Sequence, residues 1–105
     1  MWLTTSIGFY SIVEKVWDKD EGQLTVRARV QEDLEALRDR YLPSLGPISE
    51  DPRSDYRFRA RAPREAVAEA VAAMLRAVDY DNFKGAVAIR QGAARASIYH
   101  RAWEV

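Results

Sequence analysis

The sequence predicts one small α+β domain in which an antiparallel three-stranded sheet carries helices on one face. Two segments, 24–30 and 56–62, alternate strictly between apolar and polar residues, as strands with one buried face do. The segment after Pro63 instead has apolar residues at helical spacing. Because 105 residues, 48% of them hydrophobic, suit one core, residues 1–105 are predicted to form a single domain.

The first two strands are predicted to form a hairpin. Segment 3–17 is rich in β-branched and aromatic residues and ends at a polar turn over 18–22, from which segment 24–30 returns. In the first strand the odd positions Ile7, Phe9 and Val13 are the more apolar and are expected to face the core. The even positions are expected on the opposite face: Gly8, Tyr10, Ile12 and Glu14.

The rest of the chain is predicted to be helical apart from the third strand, 56–62, whose apolar face would be Tyr56, Phe58, Ala60 and Ala62. Leu34, Leu37 and Tyr41 indicate a helix that ends before Pro43. The apolar stripe after Pro63 predicts a second helix to about residue 79. Further helices are expected from near residue 83 and over 94–105, which gives the order β-β-α-β-α-α-α.

Composition excludes several classes of function. The 16 basic residues balance the 16 acidic ones, whereas non-specific binders of DNA or anionic membranes have a basic surplus. Without cysteine there are no disulfides, thiolate metal sites or cysteine nucleophiles. No segment resembles a signal peptide or reaches transmembrane length. We therefore expect a cytoplasmic protein with no membrane association.

Arginines supply the main candidate site. The parity of the alternating strands sends five of them away from the core, and we expect Tyr10 to join them on the same face. Guanidinium groups bind phosphates bidentately, and an aromatic ring among them could stack a base. The candidate binding residues are Tyr10, Arg27, Arg29, Arg57, Arg59 and Arg61.

Three interpretations of this face remain open: a solvated or self-paired surface, a protein or dimer interface, and a site for nucleic acid or another anion. The sequence has no phosphate-binding loop, nucleophile elbow or dinucleotide fingerprint. We therefore expect a non-enzymatic binding or protein-interaction module without a cofactor. The alternative is a domain that binds nucleic acid or a phosphate-bearing ligand through the arginines, and a small enzyme with its site across a dimer interface is a third possibility.

The remaining candidates favour structural roles. His100, the only histidine, is expected to be a surface or packing residue, with no assigned role. Asp79, Asp81 and Asn82 fall in an incomplete calcium-loop pattern, and Asn82 or Asp81 is better explained as the cap of the helix expected near residue 83. Glu65 and Glu69 are expected on a solvated helix face. No catalytic or metal-binding residue is predicted.

A homodimer is the expected oligomeric state. The chain contains three tryptophans, Trp2, Trp17 and Trp103, and an exposed one would be a suitable interface anchor. A small sheet can also pair through an edge strand. Because clustered arginines repel one another, a contact through an edge strand or a helix is preferred to one between two arginine faces.

Four segments carry a resemblance to a known family: 7–13 (IGFYSIV), 55–59 (DYRFR), 79–84 (DYDNFK) and 99–103 (YHRAW). The sequence resembles a family of small bacterial proteins of unknown function, and the likeness extends over nearly the whole chain. It implies a bacterial single-domain protein. It implies no catalytic or binding residue.

Overall fold

The computed structural model describes residues 1–81, which form five strands and two helices. The strands lie in one antiparallel sheet in the order β1-β2-β3-β5-β4. The elements are β1 Trp2–Thr4, β2 Phe9–Val13, β3 Gln23–Ala28, α1 Gln31–Arg40, β4 Ser49–Glu50, β5 Phe58–Pro63 and α2 Arg64–Arg76. The α+β class is confirmed. The helices predicted near residue 83 and over 94–105, with His100 and Trp103, lie outside the described residues.

The described sheet has five strands, so the prediction of three was wrong. Segment 3–17 is divided by a tight turn in which the Thr5 hydroxyl accepts hydrogen bonds from the backbone N–H groups of Ile7 (3.2 Å) and Gly8 (3.0 Å). Threonine hydroxyls stabilise such turns by offering the backbone a local partner. The other addition is β4, whose two residues pair with the outer edge of β5. Neither feature produces an alternating pattern.

Both helices pack on the same face of the sheet, against β3 and β5. Leu34 and Leu37 of α1 and Val67 and Ala70 of α2 are buried there. The sheet contributes side chains of alternating residues to this core, namely Tyr10, Ile12, Val26, Ala28, Ala60 and Ala62. The predicted packing of helices on one face is therefore confirmed for α1 and α2. The face opposite the helices is where the candidate site lies.

The helix boundaries follow backbone and charge rules. α1 has Glu32 in its first turn and Arg40 in its last, the arrangement that the helix dipole favours. α2 begins directly after Pro63 and ends at Arg76, three residues before the predicted end. Neither described helix has the length and hydropathy needed to cross a bilayer.

Tyr10 lies on the helix face, so its predicted position among the arginines was wrong. The register pairs Tyr10 with Ala28, and its side chain is fully buried. Its hydroxyl donates a 2.7 Å hydrogen bond to the backbone carbonyl of Asp33. The other residues of this strand are also on the faces opposite to those predicted. Phe9 lies on the face away from the helices, and Glu14 forms an ion pair with Arg64 at the start of α2.

Candidate anion-binding face

The face opposite the helices, called the arginine face below, is organised by one row of residues across all five strands. Successive partners in the register are Trp2, Ser11, Arg27, Arg59 and Ser49. Directly opposed residues of neighbouring strands point to the same side of a sheet. Two arginines therefore lie side by side at the centre of the face, flanked by two serines.

Tyr56 provides the aromatic ring among the guanidinium groups. The guanidinium carbons of Arg27 and Arg29 lie 4.8 Å and 5.4 Å from the centre of the Tyr56 ring, within cation–π range. Arg59 donates a 3.1 Å hydrogen bond to the Tyr56 carbonyl. The ring also lies parallel to that of Phe9, with centroids 6.4 Å apart. We call Tyr56, Arg27, Arg29 and Arg59 the Tyr56 cluster.

The Tyr56 cluster has little compensating negative charge. Within residues 1–81, neither Arg27 nor Arg29 has a carboxylate within ion-pair distance, and Arg59 has only Asp51, at 3.9 Å. Arg27 donates to the Ser11 hydroxyl at 2.8 Å, a neutral partner. The Nε atoms of all three arginines are buried without an acceptor in this part of the chain. Buried donors in folded proteins are rarely left unpaired.

The positive charges of this cluster also repel one another. Burial of Arg27 lowers its pKa, and the neighbouring charge of Arg59 lowers it further, while Tyr56 acts in the opposite direction. Like charges in a partly desolvated place destabilise the protonated forms. A bound anion would offset the repulsion, because its negative charge would favour the protonated guanidinium groups and its oxygens would accept hydrogen bonds.

Arg61 is engaged in a structural network instead. Its Nε donates to the buried carboxylate of Asp18 at 2.7 Å, and one Nη donates to the Trp17 carbonyl at 3.0 Å. Asp18 also accepts hydrogen bonds from the Lys15 N–H at 3.0 Å and the Thr25 hydroxyl at 2.7 Å. The network fastens the turn after β2 to the sheet. Arg61 therefore has its charge already paired.

Asp18 stays ionised because of these contacts. Burial of its carboxyl raises the pKa, but the hydrogen bonds from Lys15, Thr25 and Arg61, together with the charge of Arg61, outweigh that effect. The pKa of Asp18 consequently lies below its ordinary value. The same contacts raise the pKa of Arg61, which is therefore fully protonated in the folded protein.

Arg57 does not join the cluster either. It precedes β5 and forms an ion pair with Glu50 in which both side chains are about half exposed. Its guanidinium carbon lies 5.9 Å from the centre of the Phe58 ring, at the edge of cation–π range. Of the five predicted arginines, the structure thus brings together Arg27, Arg29 and Arg59 and assigns the other two to ion pairs.

A cleft adjoins the cluster along the sheet. It has a volume of about 440 Å³, within the range of small-ligand sites. Its lining includes Arg59, Arg61 and Thr25 of the sheet, the Trp17 side chain, and Ser44, Gly46, Pro47 and Ser49 before and within β4. Trp17 is 45% exposed, and its indole N–H donates to the Thr25 hydroxyl at 3.1 Å. The indole is thereby held in one orientation.

The sequence placed Tyr56 on the apolar face, and this was wrong for a structural reason. The alternation applies only inside a strand, and β5 begins at Phe58. Tyr56 lies before it, in a turn where its N–H donates to the Ser54 hydroxyl. Ser11 was missed because the parity of β2 was assigned the other way. The dipeptide Asp-Tyr occurs twice in the sequence, at 55–56 and 79–80, so it does not by itself identify Tyr56 as a residue that contacts arginines.

Other chemistry finds no support in the part of the chain that the structure describes. Residues 1–81 contain no group of three histidine, cysteine, aspartate or glutamate side chains able to hold a metal ion. A small depression of about 100 Å³ lies between the turn after β1 and the end of α2, and its lining includes Leu3, Ile7, Val71 and Met74 together with Thr4, Thr5 and Ser6. None of its lining residues within 1–81 is charged.

The chain was compared with family models, curated proteins and solved structures. None of the three comparisons gave a match. The resemblance to a family of uncharacterised bacterial proteins therefore stays a prediction, and the function has to be argued from the geometry of the site alone.

Proposed function

We propose that this protein is a non-enzymatic binding domain that recognises an anionic, phosphate-bearing group on its arginine face. The observation that carries the proposal is the Tyr56 cluster: among residues 1–81, the buried Nε donors of Arg27, Arg29 and Arg59 have no acceptor, and the three arginines have almost no neighbouring carboxylate. Surface arginines with no role in binding are usually solvated or paired, as Arg57 and Arg61 are here.

The clustering of three positively charged side chains lowers the stability of the free protein, and a bound anion would offset this cost. The guanidinium groups of Arg27 and Arg29 lie over one ring, and Arg27 and Arg59 are directly opposed in the register. Such repulsion is tolerated where a site is preorganised for a ligand of opposite charge. Phosphate fits better than a single carboxylate because its several oxygens can accept hydrogen bonds from more than one guanidinium.

Single-stranded nucleic acid is less well supported than a small phosphate-bearing ligand. The predicted base-stacking residue, Tyr10, is buried in the core. Tyr56 and Phe9 contact each other, and Phe9 is also buried. Recognition of a strand uses a continuous platform of exposed rings, and residues 1–81 do not provide one among the arginines.

The test is a calorimetric titration with pyrophosphate at constant ionic strength, on the natural protein, Arg27→Gln and Arg57→Gln. Arg57 is the matched control because it is one of the five predicted arginines but has a carboxylate partner, Glu50. We expect saturable binding that Arg27→Gln weakens by about tenfold and Arg57→Gln by less than about twofold. No binding, or equal loss in both variants, contradicts the proposal.

Self-association is a second proposal, supported by a different observation. Trp2 lies in the edge strand β1 and is 62% exposed, and exposed edge strands pair readily. We propose a homodimer formed through β1. Light scattering after size exclusion should give twice the chain mass for the natural protein and the monomer mass for Trp2→Ser. A monomer at all concentrations contradicts it.

The cytoplasmic location stays a prediction.

A further inference from the structure

The cleft and the Tyr56 cluster form one continuous site because they share Arg59. Arg59 lies opposite Arg27 in the register, and the next pair on the same face is Thr25 with Arg61, which line the cleft. Two residues along a strand correspond to about 7 Å. A ligand with its anionic group on the cluster and a second group in the cleft would therefore need to extend by about this distance.

The two ends of this site differ in chemistry. The Tyr56 cluster is cationic and has few acceptors among residues 1–81. In the cleft, Arg61 is neutralised by Asp18 and Glu21, and the Lys15 ammonium lies 5.8 Å from the centre of the Trp17 ring, so this end is less cationic than the cluster and suits an uncharged aromatic group. Its wall contains the oriented indole of Trp17, and the polar side chains of Gln23 and Ser44 form no hydrogen bond with another described residue.

We propose that the ligand is a nucleoside phosphate, with its phosphate on Arg27, Arg29 and Arg59 and its base in the cleft beside Trp17. This proposal rests on the proposed function of the arginine face and adds the identity of the ligand class. A base is planar, apolar on its faces and polar on its edges. The indole offers a stacking surface, while Gln23 and Ser44 offer donors and acceptors to the edge.

Adenosine monophosphate and ribose 5-phosphate form a matched pair of probes, since they share the phosphate and sugar and differ in the base. We expect adenosine monophosphate to bind about tenfold more tightly, because base–aromatic stacking typically gives a gain of this order. Trp17→Ala should lower its affinity to that of ribose 5-phosphate and leave the latter unchanged. Trp17→Phe should restore most of the difference.

Fluorescence provides a readout that does not depend on the stability of Trp17→Ala. The chain has three tryptophans, so Trp17 is the only one in the double variant Trp2→Phe, Trp103→Phe. Adenosine monophosphate should quench its emission, and ribose 5-phosphate should not. Quenching that saturates with the calorimetric affinity supports the placement of the base.

The outcomes separate the two proposals. Equal affinities for adenosine monophosphate and ribose 5-phosphate, with pyrophosphate binding intact, would overturn the nucleotide and leave anion binding in place. Absence of binding by both probes and by pyrophosphate would overturn both proposals. An oligonucleotide that binds far more tightly than the monophosphate would contradict a free nucleotide as the ligand and favour a strand.

Discussion

Removal of the Asp18 carboxylate tests whether the Arg61 network is structural. Asp18 is buried and accepts three hydrogen bonds, from Lys15 N–H, the Thr25 hydroxyl and Arg61 Nε. The substitution Asp18→Ala removes all three and leaves their donors without this partner. It also removes the link between Asp18, in the turn after β2, and Arg61 of β5, two residues that are 43 positions apart, while the bond from Arg61 to the Trp17 carbonyl stays possible.

The expected loss follows from these contacts. Hydrogen bonds to charged groups contribute about 1.5–3 kcal/mol each, and loss of one partner of a buried ion pair costs about 3–5 kcal/mol. The Arg61 side chain is 38% exposed, so water can replace part of what it loses. We therefore expect Asp18→Ala to lower the free energy of unfolding by about 3 kcal/mol, the low end of the range.

Urea denaturation at pH 7, followed by circular dichroism, measures this loss. Glu21→Ala is the matched control: Glu21 contacts the same arginine at 3.5 Å but is exposed, so its loss should cost less than about 0.5 kcal/mol. A loss below about 1 kcal/mol for Asp18→Ala would refute the structural role.

The same network gives a dependence on pH with a definite sign. The folded-state pKa of Asp18 is depressed, so its contribution is fully present above the unfolded value of about 3.9 and is lost as pH falls towards the folded value. The difference in stability between the natural protein and Asp18→Asn should be constant from about pH 5 to pH 7 and shrink below about pH 4. A constant difference at all pH values contradicts this reasoning.

Three further predictions concern the two faces of the sheet. Arg27→Met should leave the free energy of unfolding unchanged or raise it by up to about 1 kcal/mol, since it removes repulsion from Arg59; urea denaturation checks this, and a loss above about 1 kcal/mol would contradict it. Tyr10→Phe should cost about 1–2 kcal/mol by removing the bond to the Asp33 carbonyl, yet leave pyrophosphate affinity unchanged in calorimetry; weaker binding would show that Tyr10 acts at the site. Gly8→Ala should cost about 1–3 kcal/mol in thermal unfolding, because the new methyl would lie 2.7 Å from Tyr10 Cζ and 2.9 Å from Asp33 Cγ; a neutral result would refute this close packing.

The sequence was sufficient to predict the regular parts of the fold. Strict alternation identified β3 and the arginine side of β5, and helical spacing identified α1 and α2, because each element buries one face against the same core. The first strand was harder to interpret. Phe9 and Tyr10 are both aromatic and both buried, so hydrophobicity alone could not choose its parity. The pairing of Tyr10 with Ala28 decides it.

The candidate site was predictable only in part. Strand parity placed Arg27, Arg29 and Arg59 on one face, but it could not distinguish them from Arg61. Arg61 differs from them because it pairs with Asp18, which lies in the turn after β2 and is far from β5 in the sequence. Tyr56 was assigned to the wrong face because it precedes the strand. Contacts made by turns depend on tertiary packing, which a local pattern does not contain.

Spectra of the arginine Nε–Hε groups during titration with pyrophosphate test the central claim most directly. The Nε atoms of Arg27, Arg29 and Arg59 have no acceptor within the described part of the chain, whereas that of Arg61 is bonded to Asp18. We predict saturable shifts of the first three signals and an unchanged Arg61 signal. Shifts of equal size at all arginines, or at none, would contradict the claim that the Tyr56 cluster binds an anion.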